Sequence, residues 1–154
     1  MSVYLLALLI GIIAGLRTMT APAAVAWAAH FGRLDLSGSW LAFFGNVWAR
    51  WILTALALVE LVVDQLPSTA SRTVPVQFGA RITTGALSGA AIGAAGGSWV
   101  GGLVAGIVGA VIGTLGGRAF RSRLAAAFGR DRPAAFVEDA VAIGGALLIV
   151  ASLR

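Results

Sequence analysis

The chain has 154 residues, 59% of them hydrophobic and only 17 charged: 11 Arg and 6 Asp or Glu, with no Lys and no Cys. A soluble domain carries about a quarter charged residues, so 11% here leaves too little polar surface to face water. The missing cysteines exclude disulfides and thiolate metal sites. The net charge of +5 sits mainly between apolar runs, which marks membrane topology rather than a nucleic-acid surface.

Those apolar runs reach the ~20 residues that a membrane-crossing helix needs, and no strand-type alternation suggests a membrane β-barrel. The expected fold class is therefore all-α: a polytopic transmembrane bundle of about five helices in one domain, 1–154. The first apolar stretch, 3–30, lacks the positively charged start of a signal peptide and reads as a retained helix. It is too long for one hydrocarbon core, so it either tilts or breaks between Arg17 and Pro22, where proline disfavours helix at the preceding residue.

A loop rich in aromatics follows, with Trp40, Phe43, Phe44, Trp48 and Trp51, residues typical of the headgroup level. The second span is expected over 47–66, ending at Pro67. Between Pro67 and Pro75 lies a polar loop whose Ser68, Thr69, Ser71 and Thr73 read as turn and cap residues, with Arg72 a candidate ligand-binding group. The third and fourth spans, 78–95 and 98–117, with the turn between them hold 13 of the 21 glycines. Gly85, Gly89, Gly93, Gly102, Gly106, Gly109, Gly113 and Gly117 recur in steps of four, three or nine. Within each span that spacing gives one smooth helix face, suited to helix–helix or subunit packing.

A basic loop with Arg118, Arg121, Arg123, Arg130 and Arg132 is expected next, in contact with anionic lipid headgroups through its first three arginines. The last span is 134–153, with Pro133 well placed at its start. An arginine-rich loop belongs on the cytoplasmic side. Five crossings then put the N-terminus in the cytoplasm and the tryptophan-rich loop, Trp99 and the C-terminus outside. Two short crossings in the first stretch would instead move the N-terminus outside.

Two spans reach full length only by including acids: Glu60 and Asp64 in the second, Glu138 and Asp139 in the last. An ionised residue at the centre of a membrane helix costs about 2.5–3.5 kcal/mol on insertion scales. Glu60, Glu138 and Arg81 each lie roughly 8–10 Å along a helix from a cytoplasmic-side proline. Asp64 is one turn from Glu60 on the same face. These distances predict one polar cluster of Glu60, Asp64, Arg81, Glu138 and Asp139, with Arg17 further across the membrane near the break. Such a cluster either locks the bundle by mutual neutralisation or lines a path for an ion or charged solute. The lone His30, at a helix end, makes a poor metal site, and no cofactor is expected.

Segments 15–22 (GLRTMTAP), 60–75 (ELVVDQLPSTASRTVP) and 79–86 (GARITTGA) resemble an uncharacterised bacterial integral-membrane family, domain of unknown function 4126. The resemblance covers nearly the whole chain, and D-x-L-P-x-x-x-S-R is its most specific part. It implies a multi-pass protein of the bacterial inner membrane and supplies no activity.

The leading functional expectation is a small transporter or channel for an ion or small charged solute, assembled as a homodimer or larger homo-oligomer through a glycine face. The alternative is a non-catalytic scaffold or accessory subunit assembling through the same glycines. A third reading, an enzyme holding Mg²⁺ on its carboxylates to act on lipid phosphates, lacks a nucleophile–base pair.

Overall fold

Fourteen apolar residues without proline, Val3–Leu16, form α1, which stops where Arg17 turns to an extended conformation at φ −139° and ψ 114°. The chain restarts as α2 (Thr20–His30), with Pro22 in its first turn, where a missing amide donor costs nothing. A loop containing a short 3-10 turn, Ala42–Gly45, leads to α3 (Val47–Val63), whose start is fixed by Asn46 accepting from the Trp48 amide. The remaining helices are α4 (Pro75–Ala95), α5 (Trp99–Phe128) and α6 (Asp131–Ser152). The computed structural model describes residues 1–66 and 74–153.

The first stretch is therefore two helices, and their direction follows from their neighbours. Tyr4 faces Gly101 and Ile12 faces Gly113, so α1 runs parallel to α5. Gly145 of α6 faces Ile13, and Met1 shares a recess with Ser152, so α6 is antiparallel to α1. The Arg17 side chain meets Asp139, while Arg33 reaches the carbonyls of Val150, Ala151 and Leu153, so α2 runs parallel to α6. It follows that α1 and α2 form an antiparallel hairpin with Arg17–Met19 at its tip.

The sequence groups the N-terminus with the arginine-rich segment on one side of a bundle. The N-terminus lies at the end of the bundle that carries Trp40 and Trp99, whose rings are 5.6 Å apart. The arginine-rich end of α5 is at the opposite pole of the bundle. The expected basic loop also differs: α5 continues through Arg118, Arg121 and Arg123 to Phe128. That segment contains no Gly or Pro and is rich in Ala, Leu, Phe and Arg, which sustain a helix. Gly129, at φ 68°, ends it in the left-handed conformation that glycine adopts without strain.

The closest backbone contacts are among α1, α4 and α5, and the buried apolar core extends from them into α2 and α6. Eight of the 14 residues of α1 are buried, whereas none of α3 is. A Cβ placed on Gly106 would lie 2.1 Å from the Gly85 carbonyl oxygen, and one on Gly109 would lie 2.1 Å from that of Leu8. Backbones touch, and only glycine permits it. On the opposite face of α5, Val100, Val104, Val108 and Ile112 are exposed at every fourth residue.

Candidate functional site

The hairpin tip carries the chemistry. Where α1 ends and α2 begins, backbone groups lose their helical partners, and polar side chains from three other helices meet them. Glu60 on α3 accepts from the amides of Thr18 (2.7 Å) and Met19 (2.8 Å), a carboxylate at a helix N-terminus, where the macrodipole favours negative charge. Arg81 on α4 donates to the Gly15 carbonyl at the end of α1, at 2.7 Å. Thr114 on α5 places its hydroxyl 3.5 Å from the same oxygen while donating to Ala110 at 2.7 Å.

Between these two caps sits Arg17, with no exposed surface. Its guanidinium forms ion pairs with Asp64 and Asp139, and lies 3.8 Å from Glu138. Glu138 is itself fully buried. Gln65 donates to the second Asp139 oxygen at 3.0 Å. Arg121 extends the network outward: it grips Asp131 through both oxygens, at 2.9 and 2.5 Å, and approaches Glu138 to 3.7 Å. A guanidinium suits this place because it stays ionised and its planar fork can engage several oxygens at once.

Of the residues singled out in the sequence, Glu60, Asp64, Arg81, Glu138 and Asp139 converge on one end of the bundle. Arg17 departs from its expected position: it is the hub of the cluster rather than a group further across. The reason is the hairpin, which returns at Arg17 instead of carrying it through. Arg121, expected at lipid headgroups, turns inward, while Arg123 stays exposed. Arg72 and the hydroxyls of Ser68, Thr69, Ser71 and Thr73 lie outside the described residues. Sequence reasoning missed Gln65, Thr114 and the backbone groups of Gly15, Thr18 and Met19. Only the hairpin brings those groups to the charges.

The glycine faces pack against this chain's own helices. A Cβ on Gly85, Gly89, Gly93, Gly102, Gly106, Gly109 or Gly113 would come within 3.0 Å of this chain's own atoms, and Gly117 is buried. These faces are consumed within the protomer.

His30 lies at the other end of the bundle, its Nδ1 paired with Arg50, whose guanidinium is 5.5 Å from the centre of the Trp27 ring. Among the described residues no three His, Cys, Asp or Glu side chains converge as metal ligands.

The structure thus defines an all-helical bundle built on a broken, charge-capped hairpin, with two helices, α5 and α6, long and apolar enough to cross a membrane. The chain belongs to the family designated domain of unknown function DUF4126, whose model matches residues 4–152. No curated protein and no solved structure matches it.

Proposed function

We propose that this protein is a small multi-pass membrane transporter or channel for an ion or small charged solute, with the Arg17 cluster as its binding site. In this reading α3, α4, α5 and α6 cross the bilayer, and the α1–α2 hairpin enters from the tryptophan end without crossing. Two features support that placement. The 14 residues of α1 span about 21 Å at 1.5 Å each, short of the ~30 Å hydrocarbon core. Large apolar side chains lie exposed along α3, α5 and α6, a surface suited to lipid and costly in water. The arginine-rich end then faces the cytoplasm, with both chain termini on the other side.

The observation that carries the transport reading is the fully buried Arg17, held at the tip of a half-length hairpin by acids from two other helices. Interrupted helices whose free ends meet charged groups are how many transporters build sites within the membrane. An arriving cation competes with Arg17 for Asp64, Glu138 or Asp139, and an anion competes with those acids for Arg17. At the tryptophan end a recess of about 580 Å³ reaches Leu6 and Ile92. Ser88, buried and without a hydrogen-bond partner among the described residues, lies one turn further in on α4. With the glycines used internally, any homo-oligomer assembles through the outward apolar faces of α3, α5 or α6.

A second reading, a non-transporting membrane subunit, is favoured by the mutual compensation of the charges: Glu60 caps α2 and Arg81 caps α1. Thermal unfolding of the detergent-purified protein in series of Na⁺, Mg²⁺, Mn²⁺, phosphate, small carboxylates and pH separates the two. A transporter shows concentration-dependent stabilisation by one species, about 2.7 kcal/mol at a hundred times its Kd. Glu138→Gln abolishes that stabilisation, along with flux of the same species into proteoliposomes. If every species leaves wild type unchanged and Glu138→Gln is merely less stable, the subunit reading replaces it.

A further inference from the structure

The seam between α3 and α6 is open along its length, and its two ends differ in chemistry. In its middle Thr54, Ala57, Leu58 and Leu61 of α3 face Ile143, Ala146 and Leu147 of α6 across a recess of about 310 Å³, floored by Ala23 and Trp27 of α2. Leu61 also lines the next recess, of about 510 Å³, where Gln65, in the turn after α3, and Arg132, Phe136 and Asp139 of α6 stand together. The α6 positions 132, 136, 139, 143, 146 and 147 follow the helical repeat of three and four, so one continuous face lines both recesses. From Arg132 to Leu147 that face runs about 22 Å, more than half of the ~30 Å hydrocarbon thickness and so enough for an acyl chain of one leaflet.

The polar end holds groups of both signs. Arg132 is exposed and has no ion pair among the described residues. Gln65 donates an amide proton to Asp139, and its Oε1 is buried without a hydrogen-bond donor among the described residues. A buried acceptor left unmatched is destabilising, so this oxygen is matched to a hydrogen-bond donor, beside an Asp139 carboxylate that already pairs with Arg17. Arg132, one turn from Phe136, is matched to an anion.

We infer that the α3–α6 seam binds a phospholipid with an ethanolamine headgroup. Its acyl chain lies along Ala57, Leu61, Ile143 and Leu147, its phosphate meets Arg132, and its primary ammonium donates to Gln65 and Asp139. A choline headgroup carries the charge but no N–H to donate, and a glycerol headgroup carries no cation, so both satisfy the site less well. The inference rests on the membrane placement proposed above and is independent of transport.

The test has two stages on the full-length protein. Extraction of the host membranes with alkaline carbonate comes first: release of the protein defeats the membrane placement, and this inference with it. For protein that resists extraction, native mass spectrometry from detergent measures retention of ethanolamine, choline and glycerol phospholipids of identical acyl chains. The ethanolamine lipid is expected to be retained at least tenfold better than the other two. Gln65→Leu reduces that preference severalfold, while Arg132→Gln, which removes the phosphate contact common to the three lipids, reduces retention of all of them. Ala57→Phe, which fills the apolar recess, reduces retention of all three. Equal retention of the three headgroups, a preference untouched by Gln65→Leu, or retention untouched by Arg132→Gln overturns the inference while leaving the membrane placement intact.

Discussion

The two halves of the bundle are held together by opposite means. In α1, α4 and α5 the contacts are backbone on backbone, made possible by removing side chains. Around α3 and α6 the joint includes a set of directional polar bonds at the hairpin tip, and α3 buries no residue. The first kind of contact has no tolerance for displacement, because a close-packed interface can only be lost or kept. The second can exchange partners, since each carboxylate and guanidinium accepts several arrangements. Rigidity and chemistry are thus segregated, and substitutions on the two sides should fail differently.

The largest effect is expected on the rigid side. Gly106→Leu has no room: even its Cβ would lie 2.1 Å from the Gly85 carbonyl, a backbone atom that cannot swing away. We expect loss of folded, monodisperse protein by size-exclusion chromatography, and a penalty beyond the ~1–3 kcal/mol of ordinary overpacking. Gly116→Leu, on the same helix with nothing within 4 Å, should be tolerated, and it gains helix propensity worth a few tenths of a kcal/mol or more. Equal behaviour of the two variants would show that α5 does not pack as described.

On the polar side Arg17→Met comes next. It leaves Glu138 buried and Asp64 and Asp139 without their shared cation, and breaking a buried ion pair from one side costs about 3–5 kcal/mol. The variant should unfold at a clearly lower temperature at neutral pH. Unlike Gly106→Leu, it should recover stability when Glu138→Gln is added, because the second change removes one of the uncompensated charges. A double mutant no better than the single would place Glu138 outside the Arg17 network.

Much of the rigid half was legible because glycine spacing is a local signal: steps of three and four on one helix mean one face. The partner face was equally readable, since Gly11 and Gly15 repeat the same step of four, but the apolar length of 3–30 drew attention instead to a single crossing. The polar half was legible only in composition. Glu60, Asp64, Glu138 and Asp139 declare themselves as acids within apolar runs, whereas the position of Arg17 depends on whether the chain reverses, which no local rule decides. Pro22 signalled a helix start near Thr20, yet a start does not say in which direction the new helix runs. Arg121 shows the same limit: a basic residue near a helix end suits a headgroup equally well until Asp131 and Glu138 are placed beside it.

A smaller loss is expected from Glu60→Gln. The amide keeps one acceptor for the Thr18 or Met19 amide but gives up the charge that favours the N-terminus of α2. About 1–2 kcal/mol of destabilisation is reasonable for a charge-assisted cap. Hydrogen exchange should localise it, with faster exchange at Thr18 and Met19 and unchanged protection in α5. Uniformly faster exchange would show instead that the hairpin tip supports the whole bundle.

The smallest effect lies outside both halves, and it measures what a polar contact does without burial. Asp35 accepts from the Ser37 hydroxyl at 2.6 Å and from the Ser37 amide at 3.1 Å. These bonds, the hydroxyl first, hold its carboxyl below the ordinary carboxylate value. A folded-state value below the unfolded one contributes stability at pH above the carboxylate range, and that contribution is lost as pH falls through the folded-state value. Because the carboxylate is open to water, the loss should stay local, confined to the turn before Ser39. Titration followed by NMR should place the Asp35 carboxyl below that of a peptide spanning 32–39, and Ser37→Ala should move it most of the way back. Thermal unfolding over the same pH range should not register the difference, whereas Glu60→Gln should be plain at neutral pH. Matching titration in the peptide and the protein would mean that the Ser37 contact belongs to the local sequence alone and owes nothing to the fold.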